Sequence, residues 1–143
     1  MVTSKYAKGV LITTIIAIII FAIPNLFAIP TAIAAGNVAG GIVGPEYADA
    51  VDAAINLVVF ILVIMLIVGA FAIIAGFLLA LKGKWCLGCI VLSIIIAAYE
   101  FFALISTMSG DDPSAGAVLL AVANAANFTV MAVMAIKMKP ELY

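Results

Sequence analysis

Glu100 stands in the run Ala97-Ala98-Tyr99-Glu100-Phe101-Phe102, and no other charged residue occurs between Lys84 and Asp111. An ionisable side chain deep in an apolar stretch is costly in lipid and is a functional-site candidate by default. Two kinds of chemistry fit it. The carboxyl can carry a proton or hold a cation, or, in its neutral form, it can act as hydrogen-bonding glue between helices. The chain offers no second intramembrane carboxylate and no basic partner for a relay, so glue is the favoured reading.

Three asparagines extend this candidate. Glu100 lies about nine residues inward from Ser109, Asn25 about nine from Ala34, and Asn124 about ten from Ser114. At 1.5 Å per helical residue these three share a depth of roughly 14 Å. Asn127 lies about one turn deeper. The counting predicts a polar cluster of Glu100, Asn25, Asn124 and Asn127 in which the carboxyl hydrogen-bonds the amides. The sequon Asn127-Phe128-Thr129 falls inside the same apolar stretch, out of reach of glycosylation.

Cys86 and Cys89, in Trp85-Cys86-Leu87-Gly88-Cys89, form a C-x-x-C that suits a redox pair or half of a metal site. A quinone-linked membrane thiol oxidoreductase needs a further pair facing outward, and the chain has only two cysteines. In a reducing cytoplasm, small packing residues are the simpler reading. With no His and no Arg among 143 residues, the chain lacks an imidazole base and a bidentate fork for phosphate. No catalytic residue, resident metal or cofactor is expected, nor any contact with nucleic acid, since the only basic features are three short Lys pairs.

The elements that must position these residues are spanning helices. Hydrophobic residues make up 69% of the chain and charged ones 9%, against roughly 25% charged in a soluble domain. Four runs, at about 10–34, 45–81, 85–108 and 115–136, each reach the roughly 20 apolar residues that cross a hydrocarbon core. Strands are excluded, because an open sheet in lipid leaves its edges unpaired. Pro45 suits the first turn of the second helix, which at about 55 Å must tilt or project beyond the membrane. Short links join the runs, one at Ala35 to Gly44 and one a tight turn at Ser109-Gly110-Asp111-Asp112-Pro113-Ser114.

Charge sets the orientation. Lys5 and Lys8 precede the first run, Lys82 and Lys84 form the turn between the second and third, and Lys137 and Lys139 follow the fourth. All fall on one side of a four-pass chain, while Glu46, Asp49, Asp52, Asp111 and Asp112 fall on the other. The positive-inside rule then puts both termini in the cytoplasm. A second reading applies to the start: Lys5 and Lys8, an apolar core at Val10 to Ala22 and Ala32-Ile33-Ala34 match a cleavable signal, leaving 35–143 as the mature chain. The long gap from Pro24 to Ala34 and its apolar character favour a retained first helix.

Small residues mark packing faces: Ala72 and Gly76 in the second run, and Ala117, Ala121 and Ala125 in the fourth. Cys89, Ser93, Ala97, Glu100, Ala103 and Thr107 form a small and polar stripe along the third. Such faces allow close helix approach in lipid.

Residues 36–110 resemble the small two-helix pilins of conjugative (type IV) secretion systems. The matching parts are Ala32-Ile33-Ala34 as a signal end, Gly44-Pro45-Glu46, a long apolar helix, the basic turn Lys82-Gly83-Lys84 and a second apolar helix. The resemblance implies assembly into a filament holding lipid in its wall. The fourth helix, Glu100 and a retained first helix depart from that pattern.

The sequence thus predicts an all-α, polytopic integral membrane protein: one membrane domain over 1–143, four transmembrane helices in a bundle, and both ends cytoplasmic in the cell membrane. The leading functional expectation is a non-catalytic accessory subunit of a membrane complex. Its partners would be lipid and other membrane subunits or further copies of itself. A filament-forming pilin and a proton- or cation-translocating component centred on Glu100 are the alternatives.

Overall fold

A computed structural model describes residues 2–110 and 114–142. Every regular element among them is helical. Helix α1 runs Ala7–Ile42, α2 Pro45–Lys82, α3 Cys86–Met108 and α4 Ala115–Leu142, each long and apolar enough to cross a membrane. The predicted acidic turn at Asp111, Asp112 and Pro113 lies outside the described residues.

The turns follow from local chemistry. Between α1 and α2 only Val43 and Gly44 lie outside the helices, with Gly44 at φ +64° and Pro45 opening α2. Positive φ without a Cβ penalty is what Gly supplies. At the other end of α2 the chain leaves through Gly83, at φ +67°. The Gly83 N–H donates to the Leu79 carbonyl (3.0 Å) and the Lys84 N–H to that of Leu78 (3.3 Å). The Gly83 bond is the αL cap, in which a left-handed residue just past the helix returns its N–H to a carbonyl four residues earlier.

Two boundaries differ from expectation. The first helix was predicted to stop near Ala34 with a loop to Gly44, yet α1 continues to Ile42. The Gly- and Ala-rich stretch stays helical because it packs on α2: Gly36 is buried and a Cβ there would run into Ile55. Tertiary packing overrides the weak helix preference of glycine. Likewise α4 passes the predicted end near Ile136 and reaches Leu142 through Lys137 and Lys139.

α1 packs against α2 and α4, α2 against α3, and α3 most extensively against α4. The buried residues gather towards the end of the molecule that carries the lysines. They include Val10, Ala17 and Phe21 of α1, Ala72 and Leu79 of α2, and Phe128 and Met131 of α4. Phe21 meets Phe128 edge-on, with ring centres 5.3 Å apart, the favourable geometry for two aromatic quadrupoles. Small residues let the backbones close. A Cβ on Gly69 would strike the Phe21 ring, and one on Gly76 would strike Thr14.

Both termini and the α2–α3 turn meet at this end. The Val2 N–H donates to the Ala80 carbonyl (3.1 Å), Ser4 donates to the Glu141 carboxylate, and Leu142 lies against Gly83. The Lys5 and Lys137 ammonium groups both approach the Tyr6 ring, at 5.1 and 5.6 Å from its centre. The far end is different. At 1.5 Å per residue α1 and α2 are each about 55 Å long, whereas α3 is about 35 Å. Ala28 of α1 and Val58 of α2 share the level of Thr107, near the end of α3. The rest of α1 and α2 therefore stands beyond α3 as a helical hairpin about 20 Å tall.

Candidate functional site

The inward face of α3 carries Cys89, Ser93, Ala97 and Glu100, all buried, with Ala103 and Thr107 half-buried further along. Glu100 is 7% exposed. It shares with Asn25 and Asn124 a cavity of about 190 Å³ that also has Pro24, Tyr99 and Thr107 on its wall. Three helices thus bring the three residues of predicted common depth to one place. Asn127 lies deeper, against Thr13.

The bonding within the cluster is not the one expected. Among the described residues no hydrogen bond joins Glu100 to Asn25 or Asn124, and the amides serve α1 instead. Asn124 Nδ2 donates to the Ile20 carbonyl (2.9 Å), Asn127 Nδ2 to the Thr13 carbonyl (2.9 Å) and Asn25 Nδ2 to the Phe21 carbonyl (2.7 Å). The cause lies in α1. Pro24 has no N–H, so the Ile20 carbonyl four residues earlier cannot receive the regular helical bond. The helix widens to a π-type turn over Ile18–Ala22, where the Ile23 N–H reaches the Ile18 carbonyl. Single π turns of this kind occur often at functional sites. A carbonyl loosened from its own helix in an apolar setting takes the nearest amide donor, and α4 provides it.

Among the described residues, two buried polar atoms, Asn124 Oδ1 and Ser93 Oγ, have no hydrogen-bond partner. The Asn124 amide cannot be turned end for end to remedy this, because its oxygen would then face the Ile20 carbonyl.

Cys86 and Cys89 are both buried free thiols, and Cys86 Sγ donates to the Ala135 carbonyl at 3.3 Å. The pair sits in the α3–α4 interface, with Cys89 and Cys86 filling space beside a neighbouring backbone. Among the described residues no group of three His, Cys, Asp or Glu side chains comes together as a metal site. The packing residues Ala72, Gly76, Ala121 and Ala125 are buried, but Ala117 is exposed at the lip of the cavity. Sequence reasoning missed Thr13, Thr14, Phe21 and Gly69, which complete the α1 contacts. Gly69 had a readable signal, standing seven residues before Gly76 on the same face of α2.

Comparison with protein families, characterised proteins and solved structures finds no match to this chain.

Proposed function

We propose that the chain is a non-catalytic subunit of a membrane complex, seated in the cell membrane with both termini in the cytoplasm, and that it works through lateral contacts of its helices. Orientation follows from the lysines. Lys5, Lys82, Lys84, Lys137 and Lys139 collect where the termini meet the α2–α3 turn, and such an end is retained in the cytoplasm.

The observation that carries this reading is the hairpin formed by the far parts of α1 and α2. Its second arm bears Glu46, Asp49 and Asp52, all exposed, and carboxylates of this kind avoid the hydrocarbon layer. At the same level Val38 is 64% and Ile42 77% exposed. Apolar side chains left bare where lipid tails do not reach mark an interaction surface. Glu100 and the cysteines lie on inward faces, away from this surface.

The test is photo-crosslinking in intact cells from a reactive residue placed at Val38. The proposal expects a discrete adduct with a different membrane protein, identified by mass spectrometry after mild solubilisation. Adducts only between copies of this chain would instead favour the filament suggested by the pilin resemblance. Absence of any protein adduct from Val38 and from Ile42 would overturn the reading.

A further inference from the structure

The helices pack in the order α1, α2, α3, α4 and back to α1, which leaves α1 and α3 on a diagonal. From Tyr99 outward, away from the lysines, space opens on both flanks of α3. One flank holds the polar cavity of about 190 Å³ beside α1 and α4, and the other a cleft of about 310 Å³ against α2. Both are lined by Tyr99, Ala103 and Thr107, which succeed one another about a turn apart in one row along α3. Ala103, with only a methyl group, is the low point of that row and a saddle between the two spaces. Together they reach the range of small-molecule sites, about 300–1,000 Å³.

The two flanks differ in chemistry. Val58, Ile61, Leu62 and Phe102 line the α2 cleft, and with Val58 44% and Phe102 71% exposed its mouth faces the surrounding lipid. The polar cavity offers hydrogen-bonding groups that the fold leaves unused. Among the described residues its side chains donate from Asn25 to the Phe21 carbonyl, from Asn124 to the Ile20 carbonyl and from Thr107 to the Ala103 carbonyl. None of these bonds engages the Glu100 carboxyl or the Tyr99 hydroxyl, and Asn25 keeps a second N–H. A charged group is costly at this depth. A neutral carboxyl, a phenol and an amide each donate and accept, so they fit an uncharged head that does both. A hydroxyl does both, whereas a carbonyl only accepts.

We propose that the two spaces together bind a single-chain lipid with an uncharged hydroxyl head, of the long-chain alcohol class, which enters sideways from the membrane between α2 and α3. The head lies against Glu100, Tyr99 and Asn25. The chain crosses Ala103 and lies along Val58, Ile61 and Phe102. Neither Val38 nor Ile42 takes part, so failure of this site leaves the proposed subunit role standing.

The test is photolabelling of the purified full chain in mild detergent with a trace of a long-chain alcohol that carries a diazirine at mid-chain. Peptide mass spectrometry should map the adducts to Val58, Ile61, Leu62 and Phe102. Unlabelled 1-hexadecanol at about ten times its dissociation constant leaves about one site in eleven free, so the adduct yield should fall about tenfold. Hexadecane at the same mole fraction, having a chain and no head, should leave the yield unchanged. Glu100→Leu, which breaks none of the bonds described above, should cut the yield severalfold while keeping the parent unfolding temperature. Ala103→Leu, which fills the saddle, should do the same. Equal displacement by hexadecane would show a chain held without its head and overturn the site. Adducts spread over exposed lipid-facing residues such as Ile94 and Leu119, with no displacement by hexadecanol, would also overturn it, as would unchanged yield in both variants.

Discussion

The lysine end and the far end are built from the same helices by opposite means. Near the lysines the backbones approach so closely that glycine is obligatory, as at Gly69 against Phe21 and Gly76 against Thr14. Beyond Pro24 the helices part, a polar cavity opens at the level of Glu100, and α1 and α2 continue as a paired hairpin with apolar residues exposed. In lipid there is no hydrophobic drive to close helices on one another, so packing tightens only where small residues permit it. The division into a fixed base and an open far end is a consequence of where those small residues meet bulky partners.

Glycine substitutions give the sharpest contrast between the two ends. Gly76→Ala drives a methyl into Thr14 and should destabilise the chain by about 1–3 kcal/mol, the usual cost of overpacking. A Cβ at Gly40 meets nothing within 4 Å, so Gly40→Ala should be neutral or stabilising by up to about 1 kcal/mol, through helix preference. Thermal unfolding of both variants in the same detergent checks the pair. Equal effects would mean that the two ends are not packed differently.

A smaller effect is expected at the boundary between them. Asn124→Leu leaves the Ile20 carbonyl without its donor and should cost about 0.6–2 kcal/mol, the span for interhelical hydrogen bonds in membranes. Glu100→Gln, which disturbs none of the bonds described above, should keep the parent unfolding temperature. If Asn124→Leu is as stable as the parent, the π turn holds without α4 and the account of Pro24 is wrong.

Counting apolar residues made the four helices legible, because a spanning helix needs length and hydrophobicity and little else. Depth was legible too, since a rise of 1.5 Å per residue carries Glu100, Asn25 and Asn124 to one level. Their bonding was not. It depends on the carbonyl that Pro24 releases in α1 and on which α4 amide happens to face it, a match between residues 104 positions apart in the chain. The continuation of α1 past Ala34 was hidden for a related reason. Gly36 reads locally as a breaker, and only its seat against Ile55 makes it a contact.

The smallest expected signal concerns the thiols. Cys86 and Cys89 are at most 1% exposed, so alkylation in mild detergent should proceed only as fast as the lysine end opens. Mass spectrometry over time reads this directly. Rapid modification of either thiol in the folded chain would contradict the tight packing assigned to the base.

Single-cysteine labelling in intact cells tests the central claim most directly, that the lysine end lies inside and the hairpin projects outside. In a background with Cys86 and Cys89 replaced by Ala, single cysteines would be placed at Lys5, Lys84, Lys139 and Gly41. An impermeant thiol reagent added outside should label Gly41→Cys alone, with the other three reacting only after the membrane is permeabilised. Labelling of Lys84→Cys from outside, or protection of Gly41→Cys, would contradict the account.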